Sequence, residues 1–318
     1  MKLGRYAVAT DPGRRRRRNE DAYLVEPPLF AVADGMGGAQ AGEVASRLAA
    51  GALREGGTSE LDALIQEANR RVHQRAAEDP EASGMGTTMT VALVETSGVR
   101  FGHVGDSRAY LIRDGKLEQV TQDHSLVGEL VRSGKLSPEE AGRHPQRSVI
   151  TRAVGTDPDV DVDTFTVEPQ EGDLFLICSD GLTDMVDDET IERLVGKKRD
   201  DLDGLVKSLV KTANRGGGED NITVVAFEIA ADGAEIEETA VVAPHSGDAE
   251  PDEEDTLTEL DRVPTVDTMV VSADEVAAAA EPPPKPRRRR FFSRLLAFLI
   301  VIALLFGVAF LILWGLAA

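Results

Sequence analysis

Two short apolar segments that each end at an Asp-Gly pair constrain the fold of this chain most strongly. The first is LFAVADG, residues 29–35, and the second is LFLICSDG, residues 174–181. A short apolar run that stops at a turn pair predicts a strand buried on both faces. Asp34 and Asp180 therefore lie at the ends of buried strands, where the following glycine lets the backbone approach a ligand closely.

Further carboxylates precede two other apolar runs. Glu20 and Asp21 lead into AYLVE, and Asp220 stands in GGGEDN just before ITVVAFEI. If these ends meet at one edge, five carboxylates repel one another unless a cation offsets their charge. Oxygen ligands without a Cys or His cluster favour Mg²⁺ or Mn²⁺ over zinc. The alternative is that each Asp-Gly pair is an ordinary turn signal.

Apolar periodicity places strands and helices in separate clusters. This pattern favours an α+β fold with largely antiparallel sheets over a doubly wound parallel sheet. Asp114-Gly115 predicts a hairpin turn. The predicted strands are Leu29–Ala33, Thr88–Val94, Val99–Val104, Arg108–Ile112, Asp161–Val167, Leu174–Cys178 and Ile222–Ile229. The predicted helices are Glu43–Arg54, Leu61–Ala77 with Ser59 as a possible cap, and Leu202–Ala213.

Composition divides the chain into three parts. Residues 1–230 mix apolar runs, turns and charges as a packed domain does. Residues 231–281 contain sixteen Asp or Glu against one Arg and no aromatic residue, which predicts a disordered linker over 231–290 that ends in a basic segment. The net charge of −21 argues against nucleic acid as a partner.

The C-terminal segment predicts a membrane anchor. No charged residue occurs between Leu295 and Ala318, which is long enough to cross a bilayer, so a single transmembrane helix is expected over residues 291–318. Arg287–Arg290 precede it and predict a cytosolic catalytic domain at the cell membrane. One cysteine in the chain fits a reducing compartment.

Six short motifs in a fixed order resemble those of the PPM family of metal-dependent serine/threonine protein phosphatases, in the form seen in bacterial members. They run from residue 16 to residue 223, across nearly the whole first domain. The motifs are Arg16-x-x-Asn19-Glu20-Asp21, Ala33-Asp34-Gly35-Met36-Gly37-Gly38, Gly86-Thr87-Thr88, Val104-Gly105-Asp106-Ser107-Arg108, Ser179-Asp180-Gly181-Leu182 and Glu219-Asp220-Asn221-Ile222-Thr223.

The resemblance implies a sandwich of two antiparallel β-sheets flanked by α-helices, with two tightly bound Mn²⁺ or Mg²⁺ ions and a weaker third. Position by position, it makes Asp34 a ligand of both tight ions. The carbonyl oxygen of Gly35 would bind one ion, and Asp180 and Asp220 the other. Asp106 would hold the third ion. Glu20 and Asp21 would orient bound waters from the outer shell, and Arg16 would grip the substrate phosphate.

The implied reaction is hydrolysis of phosphoserine or phosphothreonine in proteins by a water that bridges the two metals. Cys178 fits a buried strand residue rather than a nucleophile, because a cysteine phosphatase needs an arginine six positions on, where this chain has Asp184. Many eukaryotic relatives carry His directly after the Asp-Gly pair, where this chain has Met36, so protonation of the leaving group would fall to a metal-bound water. His124 is either a substitute proton donor or a structural histidine. The rival to catalysis is a metal-binding pseudophosphatase that serves as a membrane scaffold.

Three further expectations concern regulation. Residues 126–148 would form the flap over the cleft in this family. Phosphoprotein substrates and a membrane-bound serine/threonine kinase are the expected partners. The threonines of the acidic linker are accessible to a kinase; they are Thr256, Thr258, Thr265 and Thr268.

Overall fold

Strands and helices alternate in clusters along the residues that a computed structural model describes, namely 2–37, 41–58, 60–230 and 269–270. The strands are β1 (Lys2–Asp11), β2 (Ala22–Glu26), β3 (Leu29–Ala33), β4 (Gly35–Met36), β5 (Gly86–Thr87), β6 (Met89–Val94), β7 (Val99–Val104), β8 (Arg108–Arg113), β9 (Lys116–Gln119), β10 (Val149–Ile150), β11 (Asp163–Val167), β12 (Leu174–Cys178), β13 (Ile222–Ala230) and β14 (Met269–Val270). The helices are α1 (Ala41–Gly56), α2 (Leu61–Glu78), α3 (Leu126–Arg132), α4 (Pro138–Ala141), α5 (Asp180–Thr183), α6 (Asp188–Lys198) and α7 (Leu202–Gly216).

Two five-stranded antiparallel sheets form the centre of the described chain. The first has the order β1-β13-β12-β8-β9 and the second β11-β7-β6-β3-β2. Their facing sides share an aromatic core, in which the Phe30 and Phe227 rings stack with centroids 4.5 Å apart and Phe175 stacks on Phe227 at 5.1 Å. The predicted antiparallel sandwich is confirmed.

Helices cover the outer face of each sheet. The apolar stripes of α1 and α2 pack on the second sheet, and those of α6 and α7 pack on the first. Helix α7 begins after Asp201, whose side chain accepts a hydrogen bond from the Gly204 amide and so caps the helix. This layering leaves the strand ends that carry the predicted carboxylates along one edge.

Several elements differ from the sequence prediction. The prediction omits β1, an edge strand whose apolar residues are interrupted by Gly4 and Arg5, and it omits α6, where few positions are apolar. Asp114 (φ 51°) and Gly115 (φ 78°) confirm the hairpin turn between β8 and β9. Ser59, the proposed cap of α2, lies outside the described residues, and Glu60 at the cap position makes no side-chain cap bond.

The C-terminal predictions fall largely outside the described residues. All described residues belong to one unit, Met1–Val276. The predicted transmembrane helix of residues 291–318 and the arginines before it fall entirely in the second unit, Ala277–Ala318, and lie outside the described residues. Among the helices that the structure does describe, none has the length and apolar character that a membrane crossing requires. Within the predicted linker, the structure describes only Met269–Val270, which form the short strand β14, and disorder of the linker stays a prediction. The sequence Met-Val-Val favours an extended backbone there.

Candidate metal centre

Asp34 lies where β3 ends, and its backbone is held by two threonines. Its amide donates to the Thr88 hydroxyl at 2.9 Å, while its carbonyl oxygen accepts from the Thr88 amide at 2.9 Å and the Thr87 hydroxyl at 2.8 Å. The next residue must be glycine, because a Cβ on Gly35 would lie 2.1 Å from the Gly42 carbonyl oxygen. The Asp-Gly pair therefore presents its carboxylate from a backbone packed tightly against α1.

Asp180 and Asp220 come from two loops that touch each other. Asp180 follows β12, and a Cβ on Gly181 would lie 2.0 Å from the Asn221 carbonyl oxygen, so only glycine permits this contact. The Asn221 amide group in turn fixes the N-terminal loop. Its Nδ2 donates to the carbonyl oxygens of Pro12 (2.9 Å) and Arg18 (2.8 Å).

Glu20 and Asp21 are brought to the same place by these contacts. The Glu20 amide donates to Asn221 Oδ1 at 2.7 Å, and the Ser46 hydroxyl of α1 donates to the Glu20 carbonyl oxygen at 2.6 Å. The Ser179 hydroxyl donates to Asp21 Oδ2 at 2.8 Å. Side chains 158 residues apart in sequence are thus joined directly beside Asp180.

Burial and mutual repulsion raise the pKa values of the carboxyl groups in the centre. Burial raises the pKa of Asp34 well above its ordinary value, and the charges of Asp21 and Asp180 raise it further. The pKa of Asp180 is raised in the same way, by burial and then by Asp106. Burial also raises the pKa of Asp21 to about 7, although hydrogen bonds from Thr223 and Ser179 oppose the change. Such a cluster of mutually repelling carboxylates fits divalent cations as counter-charge.

Two buried oxygens give an independent indication of a missing partner. Asp21 Oδ1 and Asp180 Oδ1 are buried without a hydrogen-bond partner in the described chain. Carboxylate oxygens left over in this way are the ligands that Mg²⁺ and Mn²⁺ prefer. As they stand, however, no three His, Cys, Asp or Glu side chains of residues 2–37, 41–58 and 60–230 are grouped closely enough to hold an ion. The donor set fits divalent cations, and binding requires these side chains to turn toward a common point.

Arg16 lies against one of the predicted ligands. Its Nη2 is 2.8 Å from Asp220 Oδ2, and the two side chains are 26% and 29% exposed, so the pair sits at the rim of the centre. Other arginines of the run 14–18 make different contacts, such as Arg18 with Glu43 at 3.8 Å. The structure therefore brings Arg16 to the predicted cleft.

Asp106 lines a cavity of about 660 Å³ next to the centre. Asp180, Asp184 and the flap residue Arg147 line the same cavity. Burial raises the pKa of Asp106 to about 7, and the charges of Asp123 and Asp184 contribute. The segment predicted as a flap contains helices α3 and α4, capped by Ser125 and Ser137.

His124 is held on both ring nitrogens. Nδ1 accepts a hydrogen bond from the Gly105 amide at 3.1 Å, and Nε2 lies 3.1 Å from Asp163. Burial lowers the pKa of this imidazole. Of the two interpretations of His124, these contacts support the structural one, in which the ring fixes the loop that carries Asp106.

Sequence reasoning missed several residues that build the centre. Arg147 lies 3.4 Å from Asp184 and 3.6 Å from Glu219, and no pattern in the sequence indicates either contact. Ser179 and Asn221, which hold Asp21 and Glu20 by hydrogen bonds, could have been predicted, because they stand next to Asp180 and Asp220 in the quoted motifs.

Comparison with known proteins relates this arrangement to a family. Residues 14–220 match the model of the family described as Protein phosphatase 2C. The chain is 42% identical over 233 residues to the serine/threonine protein phosphatase PstP of Mycobacterium tuberculosis, which covers 71% of this chain and 45% of that relative. The chain thus spans about half of that relative's length. It is also 42% identical over 236 residues to the serine/threonine phosphatase stp of Listeria innocua, covering 69% of this chain and 93% of the relative.

Solved structures show the same fold. The crystal structure of M. tuberculosis PstP/Ppp superposes with a TM-score of 0.69 at 40% identity and covers 72% of this chain and 100% of that one. A structure of the catalytic domain of PstP in complex with two manganese ions gives a TM-score of 0.66 at 38% identity, over 72% of this chain and 99% of that one.

Proposed function

The chain belongs to the protein phosphatase 2C family, and from this membership we propose that it hydrolyses phosphoserine and phosphothreonine in proteins with the help of divalent metal ions. The observation that carries the proposal is the convergence of buried carboxylates from separate loops. Asp34, Asp180 and Asp21 have raised pKa values because they lie together in a buried place, and two of their oxygens have no hydrogen-bond partner.

We assign the metal ligands from the positions of the motif residues in the centre. Asp34, the Gly35 carbonyl group, Asp180 and Asp220 would hold two Mn²⁺ or Mg²⁺ ions, and Asp106 would contribute to a weaker third. When bound, the ions supply a nucleophilic water at neutral pH and offset the charge of the phosphate. The two manganese ions in the structure of the PstP catalytic domain support the choice of Mn²⁺ and the number of tightly bound ions.

Arg16 would bind the substrate phosphate after an exchange of partners. Its guanidinium now pairs with Asp220 at 2.8 Å. A cation that takes up Asp220 competes with this ion pair, so Arg16 would turn to the phosphate, whose oxygens it can meet with two parallel hydrogen bonds. Glu20 and Asp21, fixed by Asn221 and Ser179, would orient the waters around the ions.

The described residues offer no cysteine nucleophile. Cys178 is fully buried in β12, and burial raises the pKa of its thiol to about 12, so it stays protonated. Attack by water rather than by a thiolate is consistent with this environment.

The alternative is a pseudophosphatase that binds phosphoproteins without hydrolysing them. Release of inorganic phosphate from a phosphothreonine peptide, with Mn²⁺ and with EDTA, distinguishes the two. Wild-type protein and the control Asp200→Asn, an exposed site, should release phosphate only with Mn²⁺. Asp180→Asn should lose nearly all turnover. Folded wild-type protein that binds the peptide and Mn²⁺ without releasing phosphate would establish the scaffold instead.

We further propose that residues 291–318 anchor the phosphatase in the cell membrane, with the catalytic domain in the cytosol. The uncharged run from Leu295 and the arginines before it support this orientation. A tether confines the domain near membrane-bound phosphoproteins and raises its effective concentration toward them. A membrane-bound serine/threonine kinase is the partner that such a phosphatase would oppose.

A further inference from the structure

The short strand β10 has a partner on each of its edges. On one edge Ile150 forms an antiparallel bridge with Ser125, the residue that caps flap helix α3. On the other edge Val149 and Ile150 pair in parallel with Met269 and Val270 of β14, a segment 39 residues beyond the end of the first domain. A distant part of the same chain therefore extends the small sheet at the flap.

β10 also connects the flap to the metal centre. The Ile150 side chain is fully buried and packs with Met36, which follows directly after Asp34-Gly35, and with Ala153. Val149 packs instead against Leu126 of the flap. A peptide bound along β10 thus contacts a strand that touches both the Asp34 loop and the flap.

The direction of the pairing points toward the catalytic cavity. Arg147 and Ser148, immediately before β10, line the cavity that also contains Asp106 and Asp180. In a parallel pair, residues that precede one strand run alongside residues that precede the other. A peptide paired as Met269–Val270 are paired therefore approaches β10 from the side of Arg147.

We propose that this edge of β10 is a strand-docking site for peptides, that its resident occupant is the chain's own Met269–Val270 segment, and that the segment competes there with phosphoprotein substrates. The competition rests on the function proposed above. Extended peptides commonly bind by adding a strand to an exposed edge, through main-chain hydrogen bonds.

The occupant is within reach of the site. The 38 residues between Ala230 and Met269 can span up to about 125 Å when extended. Because the segment belongs to the same chain, its effective concentration at β10 does not depend on protein concentration. If it occupies the edge for about two thirds to nine tenths of the time, the apparent KM for a competing peptide rises about three- to tenfold.

The test uses the full-length chain with Met269→Pro, because proline cannot donate a ladder hydrogen bond. Val241→Pro, in the same acidic stretch, is the matched control. Three quantities are compared with wild type: KM for a phosphothreonine peptide, turnover of a small phosphoester, and hydrogen exchange of the amides of residues 149–151. A second variant, Val270→Gly, tests the paired position without adding a proline.

We expect Met269→Pro to lower the peptide KM by about threefold or more, to leave small-ester turnover unchanged and to speed exchange in β10, while Val241→Pro changes nothing. Unchanged exchange in both variants at positions 269 and 270 would overturn docking. Faster exchange with an unchanged peptide KM would overturn the competition.

Two further outcomes separate the possible errors. A wild-type KM that rises with protein concentration would identify a second copy, rather than the same chain, as the occupant and would overturn the proposal. Failure of the wild type to hydrolyse either substrate would refute the proposed phosphatase activity and with it the competition, but the exchange measurement would still decide whether the segment docks.

Discussion

Replacing Asp106 by asparagine should stabilise the metal-free protein at alkaline pH. Asp106 is 9% exposed, and burial together with the charges of Asp123 and Asp184 raises its pKa from 3.8 to about 7. Above pH 7 the folded protein must ionise a carboxyl group that its surroundings keep protonated. Because the folded pKa lies above the unfolded one, the stability that this group contributes is fully present below pH 3.8 and is lost as pH rises to about 7.

The size of the effect follows from the two pKa values. A rise from 3.8 to about 7 corresponds to a loss of about 4 kcal/mol at pH 8. Asparagine is neutral and similar in shape, so Asp106→Asn removes the cost of ionisation. Because the amide also changes the hydrogen bonds at this position, we expect a net gain of roughly half of this free energy. For a domain of this size, about 2 kcal/mol raises Tm by about 4–8 °C.

Thermal unfolding followed by circular dichroism in EDTA measures this difference. Asp106→Asn should melt above wild type at pH 8, and its advantage should shrink by more than half at pH 5, where the wild-type carboxyl group is already protonated. Asp200→Asn, at an exposed site, should melt with wild type at both values. A variant that melts at or below wild type at pH 8, or an advantage that is independent of pH, would refute the reasoning.

The remaining predictions concern binding, titration and the tether. Arg16→Ala should raise KM for a phosphopeptide about tenfold with a smaller change in kcat, because charged hydrogen bonds to the phosphate are lost. A larger rise in KM for Arg17→Ala, at an exposed position, would show that Arg16 is not the arginine that binds the phosphate. Burial lowers the pKa of His103 to about 4, so its ring should stay neutral in the folded protein above that pH. Because the unfolded chain binds this proton from about pH 6.5 downward, the folded protein should lose stability as pH falls from 6.5 to about 4. An NMR titration midpoint near 6.5 would contradict the His103 prediction. A chain ending at Ala230 should match the full-length Met269→Pro variant on a small soluble phosphoester but act more slowly than that variant on a membrane-embedded phosphoprotein; equal rates of these two on the latter would exclude targeting by the tether.

The sequence predicted the central strands well where apolar runs are continuous. Leu29–Ala33 and Leu174–Cys178 begin and end where predicted, since buried strands leave an uninterrupted apolar signal that a turn pair then ends. The carboxylates that follow these strands were found for the same reason. Local sequence therefore sufficed to place Asp34 and Asp180 at strand ends.

Contacts between distant parts of the chain were not predictable in this way. Arg16 and Asp220 are 204 residues apart, and their ion pair depends on how Asn221 fixes the N-terminal loop. Two other contacts likewise arise only from the tertiary structure: the ion pair between Arg147 and Asp184, and the strand pairing of Met269 with Val149. Motifs singled out Arg16 and Asp220 separately, but no local pattern indicates which distant residue each of these groups contacts.

A crystal structure grown with Mn²⁺, with anomalous scattering used to locate the metal, tests the central claim most directly. We predict manganese peaks in contact with Asp34, the Gly35 carbonyl oxygen, Asp180 and Asp220. The Arg16–Asp220 ion pair, 2.8 Å long here, should open beyond about 4 Å. Manganese bound elsewhere, or no bound manganese with the Arg16–Asp220 pair intact, would contradict the assignment of these carboxylates as the metal centre.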